Sequence, residues 1–226
     1  MYNQSVSLNN MLSLITGIRL FIVNFFTYMR RLRNRIHLKN KEFTLISSNC
    51  TGGIIYHELG IRFTSPFINL QMDSSEFIHM MLNLKEYMGK ELEFFHHEQY
   101  NCPTARLGGG TVIFTHYNTE QQAKQKWDER RQRINYDNLY VMTNDRGVSE
   151  EDILNFEKIQ CKNKVIFTSK QRNTPHALFL KDFQGKKGVA WSFERDSWTG
   201  SRYFERVFDY VGFLNSDGEN VSKFLK

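Results

Sequence analysis

The chain has 226 residues, 40% of them hydrophobic and 14% aromatic, which is apolar material for one large core or two small ones and excludes a disordered chain. Its formal net charge of +6 is unevenly placed. Residues 1–41 hold seven of the 30 Lys and Arg and none of the 24 Asp and Glu, so the rest is near neutral, with 23 basic residues against 24 acidic ones. That balance excludes a broad phosphate-tracking surface on the body, and with no recognition module in the chain nucleic acid is not an expected partner. Three cysteines, Cys50, Cys102 and Cys161, form no CxxC pair and no even set. They argue against a disulfide framework and suit a reducing cytoplasm.

Residues 11–29 are largely apolar, interrupted by Arg19 and Asn24, and are followed by Arg30, Arg31, Arg33 and Arg35. A spanning helix needs ~20 predominantly apolar residues, so a mid-run arginine makes a full crossing marginal. An exported leader would carry its basic residues before the apolar run. The pattern fits an amphipathic helix that either meets anionic headgroups at the inner face of the membrane or packs on protein, its own domain or a second subunit. The expected plan is therefore a basic amphipathic arm over residues 1–41 and an α/β domain over 42–226, with a homo-oligomer left open.

Within the body, the run 43–47 reads as a buried strand, ending in Asn49-Cys50-Thr51-Gly52-Gly53, and 54–59 reads as a helix stopped by Gly60. Ser74 and Ser75 can cap a helix reaching Met88. A short strand is expected over 91–95, then a loop rich in breakers and a strand over 111–115. Residues 119–132 predict a charged helix with Ala123 and Trp127 on one face. Strands follow over 139–142 and 165–168, separated by a helix that Ser149 and Asp152 open as a capping box. A closing amphipathic helix is expected over 202–214. Strands alternating with helices at this spacing predict a mostly parallel, Rossmann-like sheet flanked by helices.

In such a sheet ligands bind outside the carboxyl ends of the strands. The residues expected there are Asn49, Cys50, Gly52 and Gly53 after the first strand, His116 after another, Asn144, Asp145 and Arg146 after a third, and Ser169 after a fourth. Cys50 is a candidate nucleophile, because a thiol at a helix start feels the positive helix end and loses its proton more readily; the alternative is an inert, buried thiol. His116 is a candidate general base, oriented by Asp145, or a hydrogen-bonded structural histidine. Gly52 and Gly53 permit close approach of an anionic group, or only a tight turn, while His57 lies on the helix that follows. Asp145-Arg146-Gly147 also reads as a plain turn. No GxGxxG, P-loop, H-E-x-x-H or D-x-D spacing occurs, so no cofactor and no metal site is indicated.

With these residues in place, the order of segments resembles a bacterial family labelled as exopolysaccharide-biosynthesis proteins. The matching stretches are residues 46–53 (ISSNCTGG), 56–59, 65–67, 107–108, 114–117 (FTHY), 127–135 and 164–168 (KVIFT). The chain departs at Thr51, where the family often has an aromatic residue, and at Gly109, where it often has an acidic one. The Asn-Cys element is also similar, more distantly, to that of capsule-biosynthesis acetyltransferases that use coenzyme A. The resemblance implies an enzyme of surface-polysaccharide synthesis that transfers an acyl or glycosyl group, with a small-molecule or glycan substrate; a sugar-nucleotide-binding or scaffold protein of the same pathway is the alternative.

Overall fold

The structure is a computed structural model that describes residues 2–190 and 193–226, with side chains from residue 14 onward. Helix α1 runs over Tyr2–His37 and covers most of the arm. The apolar residues Met11 and Leu12, which open the arm's hydrophobic run, have side chains outside the described residues. Among the described residues no helix is long and apolar enough to cross a membrane.

Two four-stranded sheets follow in place of the single sheet expected. The first is wholly parallel, in the order β1 (Thr44–Ser47), β6 (Leu139–Asn144), β7 (Asn163–Thr168) and β8 (Ala177–Phe179). Every residue of β1 and β7 is buried, as continuous apolar runs covered on both faces require. Alternate side chains go to opposite faces: Leu45, Tyr140, Met142, Val165 and Phe167 point to one core, and Ile46, Val141 and Ile166 to the other.

The second sheet is antiparallel, in the order β2 (Gln71–Met72), β5 (Gly110–Ile113), β4 (Thr104–Leu107) and β3 (Glu93–Phe95). The strands expected over 91–95 and 111–115 belong here, which corrects the expectation that they lie in the parallel sheet. The reason is connection length. Leu107 pairs with Gly110 across a two-residue loop that only a hairpin can use, and Gly108 takes φ 58° at its first position.

Among the described residues seven further α-helices and three 3-10 helices accompany the sheets. Helices α2 (Thr51–Leu59), α7 (Tyr203–Val207) and α8 (Tyr210–Leu214) supply the first core face; α3 (Ser74–Leu82), α4 (Leu84–Met88), α5 (Glu120–Arg131) and α6 (Glu150–Lys158) supply the second. Ser149 and Asp152 form the expected capping box on α6, and Ala123 and Trp127 of α5 are buried together. The helix expected over 74–88 is broken at Asn83, which leaves helical geometry at φ −128°. The one expected over 202–214 is divided in two, because the Asp209 side chain accepts the Gly212 N–H and starts a new turn.

The two sheets meet at one point that matters for the site. The Met72 N–H donates to the Ser48 carbonyl at 2.8 Å, so β2 abuts the carboxyl end of β1 and the antiparallel sheet stands beside the open ends of the parallel one.

Candidate functional site

A cleft of about 1080 Å³ lies between those strand ends and the antiparallel sheet. One wall comes from the parallel sheet: Ser48 and Asn49 follow β1, and Asn144, Arg146 and Gly147 follow β6. The other comes from β2, the start of α3 and β5, with Gln71, Asp73, Glu76 and Thr111. His97 and Tyr100 close one rim, and Lys187 and Phe193 stand on another.

Most of the polar groups are held by the backbone, which leaves defined atoms free. Asp73, and not Ser74 or Ser75 as expected, caps α3, accepting the Ser75 and Glu76 N–H groups with a single oxygen at 2.9 and 3.3 Å. Glu76 accepts the Thr111 N–H at 2.9 Å through Oε2. Asn144 accepts from the Arg146 N–H at 3.0 Å and from the Ser74 hydroxyl at 3.3 Å with its carbonyl oxygen, which leaves its amide N–H groups as donors. Nδ1 of His97 accepts the Gln99 N–H at 3.2 Å, so in the neutral ring the proton sits on Nε2, and the ring lies 4.7 Å from that of Tyr100. The charged ends of Arg146 and Lys187 meet no partner among the described residues.

Asp145 holds the two cation-bearing loops together. Buried at 6% exposure, it accepts the Ser169 N–H and hydroxyl through Oδ2 and the Val189 N–H through Oδ1, each at 2.8 Å. That ties the end of β7 and the 187–189 loop to the end of β6. Gly188 then fits so tightly over Arg146 that a Cβ at residue 188 would lie 2.6 Å from its Cα. Arg146 and Lys187 are therefore carried on loops joined through one carboxylate.

The structure brings Asn49, Asn144 and Arg146 to the cleft wall, and places Asp145 and Ser169 beneath it as a bonded pair. Cys50 and His116 do not line it. The Cys50 sulfur faces the Leu70 carbonyl at 3.9 Å and the Thr115 hydroxyl at 3.8 Å, and burial pushes its thiol up, opposite to the direction expected from a helix start. His116 is exposed in the turn after β5, on the antiparallel sheet, while the bonds of Asp145 run to Ser169 and Val189.

The glycine pair serves packing. A Cβ on Gly52 would lie 2.7 Å from the Ser47 hydroxyl, which accepts the Gly52 N–H, and one on Gly53 would lie 3.4 Å from Ile68, so Gly52 lets α2 lie close on β1 and Gly53 lets it lie close on the segment before β2. His57 is on the solvent side of α2. Sequence reasoning passed over Asp73, Glu76, His97 and Lys187. For the first two a signal exists, since Asp73-Ser74-Ser75-Glu76 has the spacing of a helix start. His97 and Lys187 lie in irregular segments that periodicity does not place.

The comparisons with known proteins agree with one another. A family model described as a domain of unknown function, DUF1919, matches residues 21–215. An uncharacterised protein of Haemophilus influenzae is 38% identical over 180 residues, covering 79% of this chain and 86% of that protein. The family match begins inside α1 and ends just after α8, so it takes in both sheets and all the cleft residues named above. The chain belongs to the DUF1919 family.

Proposed function

We propose that the protein is a transferase of bacterial surface-polysaccharide synthesis, moving a glycosyl or acyl group from an anionic activated donor held in the cleft. The observation that carries this reading is the pair of unpartnered cations, Arg146 and Lys187, on one side of a cleft whose other side holds Asp73, Glu76 and His97. Both donor classes carry a diphosphate, and a fork of guanidinium donors with a nearby ammonium suits its charge as it becomes, or remains part of, the leaving group. His97, whose neutral ring carries its proton on Nε2, is suited to donate a hydrogen bond to an oxygen of the donor, and a free carboxylate oxygen of Asp73 or Glu76 to take the proton of an acceptor hydroxyl. Asn144 and the free carboxylate oxygens suit sugar hydroxyls, and the Tyr100 ring offers an apolar face. Neither Cys50 nor His116 is needed. The order of segments that resembles exopolysaccharide-biosynthesis proteins supports the pathway, and three free cysteines suit a cytoplasmic setting.

A second reading has its own support. Asp73 and Glu76 each commit an oxygen to backbone N–H groups, as carboxylates with a positioning role do, and this suits a sugar-nucleotide-binding or scaffold protein without turnover.

Thermal-shift titration with sugar nucleotides and acyl-coenzyme A compounds tests both readings, because a selectively bound ligand raises apparent stability by mass action. Stabilisation by one class, lost in Arg146→Ala and kept in Cys50→Ala, is the expected result. Turnover of the bound donor with a glycan acceptor separates transferase from binder. No stabilisation by either class overturns the donor site.

A further inference from the structure

An amphipathic helix of a globular protein normally turns its apolar stripe to the core. Helix α1 does the reverse. Toward the body it sends the buried side chains of Thr27 and Asn34, the latter donating to the Tyr210 hydroxyl at 2.6 Å. Four of its arginines bond to the body: Arg19 to the Ser197 carbonyl, Arg30 to the Gly200 carbonyl, Arg31 to the Glu58 carboxylate and Arg35 to the Glu58 carbonyl. Away from the body stand Ile15, Ile18, Ile22, Phe25, Met29, Leu32 and Ile36, between 39% and 69% exposed. Flanking this central row, Leu14, Leu20, Phe21, Phe26 and Tyr28 are 56% to 72% exposed.

The spacing of these seven residues identifies their occupant. Steps of three and four alternate without a break, a 3.5-residue period that keeps one seam facing a second helix as the two wind around each other. A lipid surface demands no such period. It does demand cations free to meet headgroups beside the apolar stripe, and of the five arginines of α1 four are engaged by the body, which leaves only Arg33 among the described residues. The extent is also that of a protein interface. With roughly 100 Å² still open on each large side chain, the face offers on the order of 700 to 1,000 Å² per copy, close to the ~800 Å² per partner of a standard interface and above the ~300 to 600 Å² of a typical monomer's largest apolar patch.

We propose that this face is a self-association seam, on which a second copy of the chain lays its own α1. The body hangs from the opposite side of the helix, at Thr27 and Asn34, so the two bodies lie outside the pair and leave the seam clear.

Sedimentation equilibrium of the full chain is the test. The wild type is expected to be a dimer, and Ile22→Asp with Phe25→Asp a monomer, while Leu154→Asp, which alters another exposed leucine away from α1, stays dimeric. A milder pair, Ile22→Ala with Phe25→Ala, leaves the hydrogen bonds and ion pairs between α1 and the body intact and is expected to raise the dimer Kd about tenfold or more. A monomeric wild type overturns the proposal, as does a dimer whose Kd neither pair changes. Flotation of monomeric wild type on phosphatidylglycerol vesicles would assign the face to lipid instead.

Discussion

Glu58 and Arg146 belong to two charged regions of one fold that are treated in opposite ways. Around Glu58 the charges are closed on one another: Arg31, Arg195 and Arg202 reach its two oxygens at 2.6 to 3.2 Å, and the carboxylate is 1% exposed. Burial alone would raise its pKa, but the hydrogen bond and charge of Arg31, with Arg195 behind them, outweigh that and hold it at about 2. At the cleft, Arg146 and Lys187 point at no carboxylate of the chain among the described residues. A region whose charges meet inside the protein is architecture, here the clip that fastens α1 and the 195–202 segment to α2. A region whose cations stay open is the one to which the proposed reading assigns an anionic ligand.

Breaking the closed region is expected to have the largest effect on the fold. Glu58→Gln strands three guanidiniums around a neutral amide; loss of one partner of a buried ion pair costs about 3 to 5 kcal/mol, and partial exposure of the arginines puts the cost near the lower figure. Urea denaturation measures it directly. The same carboxylate sets an acid limit. Its folded pKa lies below the ordinary 4.5, so its contribution is complete above that value and is lost as pH falls through about 2; the Glu58→Gln variant should lose less stability than wild type over that interval.

Next in size is Asp145→Ala, which leaves the Ser169 and Val189 donors unpaired in a buried place and should cost about 1 to 3 kcal/mol. Because Asp145 holds the two cation-bearing loops together, this variant should also lose the ligand-induced rise in Tm, linking the closed kind of charge to the open kind. Arg146→Ala with Lys187→Ala sharpens the contrast: stability should stay within about 0.5 kcal/mol of wild type while the ligand response disappears. A drop of several kcal/mol in that variant would show these cations to be structural after all. Smallest is the effect at Cys50. Its raised thiol should be alkylated slowly at neutral pH and faster as pH rises, ahead of the more deeply buried Cys161, whose thiol is pushed up to about 11; mass spectrometry of the alkylated peptides reads both rates.

Much of the fold is legible in the sequence. Continuous apolar runs at 43–47, 139–142 and 165–168 marked three of the four parallel strands, while the short β8 gave no such run, and the Ser149 box and the Ala123–Trp127 spacing marked two helices, because these signals are local and follow from backbone geometry. The antiparallel sheet was less legible. Its strands are two to four residues long, too short for alternation to declare a partner, and only the Gly108-Gly109 loop hinted at a hairpin. Of the candidate site, Asn49, Asn144 and Arg146 were readable as residues following strands, whereas His97 and Lys187 sit in loops with no period to place them.

By itself, then, the sequence determined three of the four parallel strands, the Ser149 cap and the basic, largely apolar arm, since each depends on neighbours within a turn or two of the chain. Tertiary structure alone decided which way the arm faces, that the glycine pair serves packing, and that Asp145 bonds to Ser169 and Val189, 24 and 44 residues away. The physical reason is that a polar group's role is set by the partner it meets when buried. For Asp145, for Glu58 and for the arginines of α1, that partner comes from a distant part of the chain.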